Sequence, residues 1–230
     1  MKIKFDHSEN LAADIYSFYF STESQFVYTP GQYVELSIPG IADNKRWFTL
    51  SSSPTENLLA ITTRLRRKDL SQFKTALMNL QPEANLNING PFGDFVLPML
   101  IQTPLVFVAA GIGITPFRSI LKWLRDTEET RPIKLIYGLK TEDEIIFQDL
   151  IDEPGLHTTI IIVEPSDAWG GERGHLSSEA IAGLSKITDD SMVYIAGPEK
   201  MVASLQTDLV AHGLARHQVV TDEFPNYTAI

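Results

Sequence analysis

The first hundred residues carry a pattern of hydrophobic positions that is typical of short β-strands. Residues 34–38 and 59–65 alternate apolar and polar side chains, and residues 15–20 are rich in aromatic and other β-favouring types. A period of two turns one face of each strand inward and the other toward solvent. Because proline–glycine turns separate these segments, the pattern predicts a small antiparallel barrel.

One segment of this first part has a helical pattern instead. Residues 71–80 space their apolar side chains along one side of a helix. Asp69 or Ser71 can cap the N-terminus of this helix. Residues 90–95 combine glycines with phenylalanines, and we interpret them as a bend with packing residues between two domains.

The second part of the chain alternates predicted strands and helices. Residues 105–110 are continuously apolar, as expected of a parallel strand that is buried on both faces. The other predicted strands are 133–137, 158–163 and 192–196, and the predicted helices are 116–125, 142–151, 178–184 and 200–212. Thr141 and Glu144 form a predicted capping box for the second of these helices. The alternation predicts a doubly wound α/β domain over residues 100–230, after a barrel domain over residues 1–99.

Composition restricts the chemistry that the chain can perform. Its 230 residues are 43% hydrophobic, which suffices for two domain cores. The sequence has no cysteine, which excludes disulfides, thiolate catalysis and a cysteine-bound iron–sulfur cluster in this chain. The five histidines have no metal-ligand spacing, so no metal site is predicted. No apolar run approaches the ~20 residues of a membrane helix, and no signal peptide is recognisable, so we expect a cytoplasmic protein without membrane insertion.

Charge further limits the partners. The formal net charge of −10 opposes binding to nucleic acid or to anionic membranes. Residues 64–68 are a local exception, because all but Leu65 are basic. This run fits a solvated strand end, a phosphate clamp or a docking patch for an acidic partner.

Residues 46–53 place a cation, aromatic rings and hydroxyl groups on one short stretch. Arg46 supplies the cation, Trp47 and Phe48 supply flat apolar surfaces, and Thr49 begins a series of hydroxyl-bearing side chains. A flavin nucleotide requires a charge for its phosphates, a flat surface for its ring and a hydrogen bond at its reactive edge. The stretch therefore favours a flavin site.

Residues 109–116 follow the first parallel strand and open a helix. Gly111 and Gly113 allow a pyrophosphate to approach backbone amides at the helix start, where the helix dipole favours anions. Thr115 can serve as the N-cap and Pro116 as the first helical residue. The third glycine of the usual dinucleotide fingerprint is missing, so a tight turn that packs a helix is an alternative interpretation.

A second glycine turn, Gly197-Pro198, ends the predicted strand 192–196. In doubly wound sheets, the carboxyl ends of the strands border the crevice in which ligands bind. The two glycine turns together predict a nucleotide site at this edge of the sheet.

The order of these segments resembles the ferredoxin–NAD(P)+ reductase superfamily along nearly the whole chain. The matching motifs are Pro30-Gly31-Gln32-Tyr33, Arg46-x-Phe48-Thr49-x-x-Ser52, Ser71, Gly90-Pro-x-Gly93-x-Phe95, Gly111-x-Gly113-x-Thr115-Pro116, Tyr137-Gly138 and Gly197-Pro198-x-x-Met201. Each motif is loose alone, but their order and spacing are compatible with the family throughout. The resemblance implies FAD, with FMN as the other option, in the barrel and NAD(P)H in the second domain.

The resemblance also implies roles for individual residues. Arg46 would pair with the flavin pyrophosphate, Phe48 would stack on the isoalloxazine ring, and Thr49 would hydrogen-bond N5, the atom that accepts hydride. The other implied flavin residues are Trp47, Ser52, Thr62, Thr63, Arg64, Ser71 and Gln72. Thr115 would lie near the nicotinamide, and Thr49, Thr115 and Phe224 are the predicted catalytic positions. The implied coenzyme residues are Gly111, Gly113, Thr115, Pro116, Gly138, Ser166, Asp167, Arg173, Gly197, Pro198 and Met201.

Some positions depart from the family pattern. Phe48 stands where tyrosine is common, which removes a hydrogen bond of roughly 1 kcal/mol but keeps the stacking face. Ala196 stands where many members have a cysteine beside the transferred hydride. Near the C-terminus, Phe224 or Tyr227 could cover the open face of the flavin, and packing on the barrel is the alternative.

Ser166 and Asp167 bear on the choice between NADH and NADPH. Relatives that use NADP commonly have Ser-Arg at this place. A carboxylate accepts hydrogen bonds from a ribose diol and repels a 2′-phosphate. NADH is therefore favoured, with Arg173 as the counter-argument because it could supply a cation.

These features predict an NAD(P)H-dependent flavoprotein reductase that transfers hydride from the nicotinamide to FAD N5. Electrons would then pass to a separate acceptor, which is a ferredoxin, a flavodoxin, an oxygenase component or free flavin. Two alternatives stay open. One is a flavin reductase that uses free flavin as its substrate, and the other is a non-catalytic electron-transfer subunit.

Overall fold

The first part of the chain forms the predicted antiparallel barrel. The computed structural model describes residues 1–42, 44–66 and 70–224. The strands of this sheet are β1 (Lys2–Ala12), β2 (Ile15–Thr22), β3 (Tyr33–Ser37), β4 (Lys45–Thr49), β5 (Leu59–Arg64) and β6 (Asn85–Phe92). Their order is β4-β3-β6-β1-β2-β5, and every neighbouring pair is antiparallel. A bridge between Leu50 and Ile61 links the two end strands, so that the sheet curves back on itself.

The barrel core follows the alternation read from the sequence. Within β3, Val34 and Leu36 are buried, whereas Tyr33, Glu35 and Ser37 are more exposed. The predicted helix is present as α1 (Gln72–Met78), and it buries Phe73 and Leu77 in the same core. Burial of these apolar side chains is the main stabilising contribution to such a barrel.

Ser71 is the N-cap of α1. Its hydroxyl oxygen accepts a hydrogen bond of 3.2 Å from the backbone amide of Lys74. This bond satisfies one of the free donors of the first turn. The other predicted cap, Asp69, lies outside the described residues.

Three barrel strands, β1, β4 and β6, were absent from the sequence prediction. β1 is 11 residues long, but residues 6–10 are all exposed and polar, so it shows little alternation. It is held by pairing with β2 along its length, with a register shift between Phe5 and His7. β6 contains Gly90-Pro91, which we interpreted only as a bend. Pairing with β1 and β3 overrides these weak local signals.

The second part forms the predicted doubly wound α/β unit. Its strands are β7 (Leu105–Ala110), β8 (Ile133–Leu139), β9 (His157–Ile162), β10 (Glu172–Arg173), β11 (Met192–Pro198) and β12 (Val219–Phe224). The helices are α2 (Thr115–Asp126), α3 (Gln148–Ile151), α4 (Ser178–Ser185) and α5 (Glu199–Ala211). The strand order is β10-β9-β8-β7-β11-β12, and all pairs are parallel. β10 and β12 were not predicted, because the first is only two residues long and the second has three consecutive polar residues between its apolar ends.

Helix 142–151 is the clearest error of the sequence prediction. The segment contains a 3₁₀ turn, Glu142–Glu144, and the short α3, with Phe147 in the left-handed region at φ 59° between them. The predicted capping box is also wrong, because the Thr141 side chain makes no cap bond. The Glu144 carboxylate instead binds Arg64 of the barrel, a long-range contact that local spacing cannot reveal.

The two sheets are joined by the stretch between Phe92 and Leu105, and the domain limits of 1–99 and 100–230 stay a prediction. Tyr194 connects the two sides here, because its hydroxyl donates to the Val96 carbonyl at 2.7 Å. Among the described residues, no helix is long and apolar enough to span a membrane.

Candidate functional site

Arg46 and Phe48 lie side by side on β4, facing α1. The guanidinium carbon of Arg46 is 5.6 Å from the centre of the Phe73 ring, and the Phe48 ring centre is 5.8 Å from that of Phe73. Ser71 begins α1 just before Phe73. The fold thus brings a fixed cation, an aromatic face and a helix start to one place, as the sequence pattern requires for a flavin phosphate and ring.

Trp47 lies on the opposite side of β4. Its side chain is 56% exposed and packs against Tyr33 and Phe92, with ring centres 5.4 Å away in each case. Alternation along a strand explains this separation from its two neighbours. The structure therefore does not bring Trp47 together with Arg46 and Phe48.

Thr49 ends β4 at the contact between barrel and α/β unit. Its hydroxyl donates a hydrogen bond of 2.7 Å to the carboxylate of Asp222 on β12. Asp222 pairs in the sheet with Ala196, the position where many family members have a cysteine. Asp222 was not among the predicted site residues. It stands directly before Glu223 and Phe224 in a strand that was not predicted, and neither its residue type nor its spacing distinguishes it from the other carboxylates of the chain.

The environment of Asp222 changes its acidity. Burial raises the pKa of the carboxyl to about 6, the hydrogen bond from Thr49 acts in the opposite direction, and the charge of Glu223 adds to the rise. A carboxyl with this pKa can change protonation near neutral pH.

Several predicted flavin residues hold the barrel wall together. The Ser52 hydroxyl contacts the Tyr28 hydroxyl at 2.9 Å and accepts from the Ala60 amide, also at 2.9 Å. Thr62 bonds to the side chains of Ser17 and Ser51 at 2.7 and 2.8 Å. Ser52, Thr62 and Thr63 are almost completely buried, so these hydroxyls are not grouped with Arg46 and Phe48. Gln72 begins α1 on the exposed side.

Arg64 is buried at the end of β5 rather than exposed in a basic patch. One of its nitrogens lies 2.7 Å from Glu144 and 3.2 Å from Asp14. Arg66 reaches Asp14 at 3.5 Å, and the rest of the basic run lies outside the described residues. Nearby, the Tyr137 hydroxyl is buried without a hydrogen-bond partner among the described residues, and burial raises its pKa.

The first glycine turn forms a 3₁₀ turn, Gly111–Ile114, that runs directly into α2. Thr115 is therefore the first residue of α2 and not its N-cap, and Pro116 is the second residue. The reason is that the 3₁₀ turn extends the helical path backward, so that no extended cap residue precedes Thr115. Thr115 is 2% exposed.

The two glycine turns pack directly against each other. A Cβ atom on Gly113 would lie 2.1 Å from the Ala196 carbonyl oxygen. Gly197 has φ +155°, and a Cβ there would approach Ala110 and Met201 within about 3 Å. Both positions therefore require glycine, and Pro198 follows as the N-cap of α5. The predicted coenzyme residues of β7 and β11 come together as expected for neighbouring parallel strands.

The remaining predicted coenzyme residues lie at β8 and after β9. Gly138 leaves room for Leu176, whose nearest atom would be 2.4 Å from an added Cβ. Ser166 is held by Glu142, whose carboxylate accepts from the Ser166 hydroxyl at 2.8 Å and from its amide at 3.2 Å. Asp167 is exposed. Arg173 donates to the carbonyl oxygens of Ser166 and Trp169 at 3.2 and 2.8 Å.

Phe224 is the last described residue. It is partly buried and packs against the core between sheet and α2. Tyr227, the other aromatic candidate, lies outside the described residues, so the choice between them stays a prediction. Among the described residues there is no cluster of side chains that could hold a metal ion.

The barrel and α2 are also tied together beside the site. Arg118 makes a two-point ion pair with Glu56, with one of the two contacts at 2.9 Å, and donates to the Ser51 carbonyl at 3.0 Å. Ser119 donates to the Ser52 carbonyl at 2.5 Å. The loop that follows Thr49 is therefore held by the helix that follows the first glycine turn.

Comparisons with known proteins show similarity to oxidoreductases. The family model described as the oxidoreductase NAD-binding domain matches residues 107–207. The reductase component of propane 2-monooxygenase from Mycolicibacterium smegmatis is 26% identical over 210 residues, which cover 87% of this chain and 60% of that protein. The CDP-6-deoxy-L-threo-D-glycero-4-hexulose-3-dehydrase reductase of Yersinia pestis is also 26% identical, over 96% of this chain and 68% of its own length.

Solved structures share the fold. The cytochrome P450 reductase of Amycolatopsis superimposes with a TM-score of 0.84 at 18% identity, covering 98% of this chain and 70% of that chain. The FAD/NAD binding domain of a nitric oxide dioxygenase from Vibrio cholerae gives 0.81 at 19% identity, with 97% and 98% covered. The chain spans about 60% of the length of several curated relatives that it matches.

Proposed function

We propose that this chain is a flavoprotein reductase of the ferredoxin–NAD(P)+ reductase superfamily, which oxidises NAD(P)H and passes electrons to a separate acceptor; the similarities in sequence and fold support the proposal. The observation that carries the proposal is the meeting of Arg46, Phe48 and α1 on the barrel, with Thr49 bonded across to Asp222 of the α/β unit. This arrangement supports the proposal, because it would put the flavin next to the carboxyl ends of the parallel strands, where doubly wound sheets bind ligands.

The residues on the barrel fit a flavin nucleotide. Arg46 would bind its phosphates through a planar, permanently charged guanidinium, and Phe48 would orient its ring. Thr49 would donate a hydrogen bond at the ring edge in competition with its bond to Asp222. The flavin would supply the redox chemistry, because it accepts a hydride and releases electrons singly or in pairs. We propose FAD, with FMN as the other option.

The residues on the α/β unit fit a nicotinamide coenzyme. Gly111 and Gly113 would allow its pyrophosphate to approach the backbone, and Thr115 would lie near the nicotinamide. Positioning of the two rings in contact is the main catalytic task, since a well-oriented pair of reactants reacts far faster than a free one. Asp222 would compete with the flavin for the single Thr49 hydroxyl proton, and its raised pKa would let it exchange its own proton near neutral pH.

NADH is proposed over NADPH. The proposal is supported by two carboxylates next to Ser166: Asp167 follows it in the chain, and Glu142 accepts its hydroxyl hydrogen bond. If the ribose binds here, both carboxylates would repel a 2′-phosphate. Arg173, the possible counter-charge, already donates to two backbone carbonyls. Steady-state kinetics with both coenzymes tests this point, and a large advantage of NADPH would contradict it.

The acceptor is proposed to be a separate protein or flavin. Similar proteins are named as reductase or electron-transfer components of monooxygenases and dioxygenases. The absence of cysteine means that this chain cannot hold a cysteine-bound iron–sulfur cluster itself. An oxygenase component, a ferredoxin or a flavodoxin would therefore receive the electrons. The expected cytoplasmic location stays a prediction that cell fractionation would check.

The decisive experiment is an anaerobic absorbance spectrum of the purified protein before and after NADH. We expect a yellow protein whose flavin absorption is bleached by NADH. A colourless protein that oxidises NADH only with added free flavin would instead be a flavin reductase. A yellow protein that NADH does not bleach would be a non-catalytic subunit, and a protein that binds no flavin nucleotide would refute the proposal.

A further inference from the structure

The ion pair between Arg64 and Glu144 crosses from the barrel to the α/β unit. The two side chains are only 10% and 9% exposed, and their closest atoms are 2.7 Å apart. Burial of an ion pair costs solvation free energy that the mutual attraction often only offsets. Stability alone is therefore a weak explanation for a salt bridge at this position.

On the barrel side, Arg64 is anchored in two directions. Its guanidinium also lies 3.2 Å from Asp14 in the turn between β1 and β2. Its backbone carbonyl accepts a hydrogen bond of 2.8 Å from the Lys74 ammonium on α1. Arg64 is thus attached to the helix that borders the proposed flavin site.

On the other side, Glu144 belongs to a turn that also contacts the proposed coenzyme loop. Glu142, two residues earlier in the same 3₁₀ turn, accepts hydrogen bonds from Ser166 through both its amide and its hydroxyl. Contacts therefore run without interruption from Ser166 through this turn to Arg64, and from Arg64 to α1. A rigid chain of polar contacts of this kind can transmit a small displacement between two sites.

We infer that Glu144 is a positioning residue: through Arg64 it sets how the coenzyme half sits against the flavin half, and it thereby controls hydride transfer without contacting either reacting group. The inference rests on the proposed function and deepens it. It also gives Arg64 a different task from the flavin-phosphate contact that the family resemblance implies.

The test uses Glu144→Gln in the flavin-loaded protein. The variant keeps the size of the side chain and removes its charge, and Asp14 still faces the Arg64 guanidinium. In rapid mixing with NADH, we expect the limiting rate of flavin bleaching to fall about tenfold, because small misplacements of reacting groups have effects of this size. Flavin content should stay close to that of the unchanged protein, whereas the melting temperature should fall, because Arg64 stays buried with one of its two carboxylate partners removed.

Two further variants make the test specific. Glu129→Gln is the matched control, because Glu129 pairs at 2.5 Å with the nearly buried Arg131 and neither residue contacts the barrel sheet through this ion pair. Arg131 keeps its hydrogen bond to the Pro98 carbonyl in the joining stretch, and the bleaching rate should stay unchanged. The double variant Arg64→Gln, Glu144→Gln should be no slower than Glu144→Gln alone, because both changes remove the contact between the two halves. The Arg64–Asp14 contact that is also lost in the double variant lies within the barrel.

The inference is overturned if Glu144→Gln lowers melting temperature or flavin content but bleaches at the normal limiting rate, or if Glu129→Gln is equally slow. Should Glu144→Gln not fold, Glu144→Asp keeps the charge and shortens the reach, and a normal limiting rate in that variant would also overturn it. Failure of the proposed function is recognised separately, since the unchanged protein would then show no bleaching at all.

Discussion

The two halves of the molecule build their parts of the site in different ways. In the barrel, the candidate residues Arg46, Phe48 and Thr49 come from one strand, β4. The spacing of two residues between Arg46 and Phe48 is enough to bring both side chains to one face of that strand. In the α/β unit, the candidate residues come from the ends of separate strands, and Gly113 and Gly197 meet only because β7 and β11 are neighbours. A site on one strand depends on local spacing, whereas a site on several strand ends depends on the topology of the sheet.

This difference predicts that the glycine turns tolerate change less than the barrel residues. Gly113→Ala has the largest expected effect, because the added Cβ would lie 2.1 Å from a backbone oxygen that cannot move freely. We expect a loss of about 3 kcal/mol in the free energy of unfolding and severely weakened NADH binding. Urea unfolding measures the first effect and coenzyme titration the second.

Gly183→Ala is the control for this change. Gly183 lies within α4, and an added Cβ would meet nothing within 4 Å. We expect a gain of roughly 0.5–1 kcal/mol from improved helix propensity. Equal stability of the two alanine variants would show that the glycine turn is looser than the geometry indicates.

On the barrel, Arg46→Met should mainly affect flavin binding and leave the fold intact. Loss of a charged hydrogen-bonding partner is expected to weaken flavin affinity by about 2 kcal/mol, or roughly thirtyfold. The matched variant is Lys45→Met, because Lys45 is the adjacent cation on the other face of β4 and pairs with Glu35 at 2.9 Å. Titration of the flavin-free protein compares them, and similar losses in both would place the phosphate site elsewhere.

The contact between the halves should show itself in the pH dependence of stability. The pKa of Asp222 rises from an ordinary 3.8 to about 6 on folding, so the folded chain binds a proton more tightly than the unfolded chain. The contribution of the protonated Asp222 carboxyl to the free energy of unfolding is complete below pH 4, and it is lost as the pH rises through about 6. Because the carboxyl is partly exposed, we expect a loss of about 1–2 kcal/mol over this window in the flavin-free protein.

Asp222→Asn removes this titration. Denaturant unfolding at pH 4 to 7 should show a smaller fall in stability with rising pH in the asparagine variant than in the unchanged chain. Glu223→Gln, an adjacent exposed carboxyl, serves as the control and should alter the slope much less. Identical slopes for Asp222→Asn and the unchanged chain would contradict the assigned pKa.

The smallest expected effect is a gain in flavin affinity from a substitution on β4. Phe48→Tyr restores the hydroxyl that is common in the family, and one new hydrogen bond should tighten flavin binding by about 1 kcal/mol, or roughly fivefold. Trp47→Ala, on the other face, should leave flavin affinity unchanged. If Trp47→Ala lowered flavin affinity by more than Phe48→Tyr raised it, the assignment of these residues to opposite faces of β4 would be wrong.

Much of the architecture was predictable because its signals are local. The alternation in β3 and the continuous apolar run of β7 follow from which faces each strand buries. The prediction was weakest where pairing partners overrule the local pattern. The polar β1 becomes a strand because β2 pairs along it, and the 142–151 helix is interrupted where Glu144 turns to the barrel.

The candidate site also has a part that is specified locally and a part that depends on packing. Residue type and spacing within one segment specify the cation and ring of β4 and the two glycine turns, so these could be predicted without the fold. The contacts of Asp222 with Thr49 and of Glu144 with Arg64 follow from the packing of the fold, since each pair joins residues at least 80 positions apart. Contacts between sheets depend on how two separately specified units pack, and no periodicity within either segment carries that information.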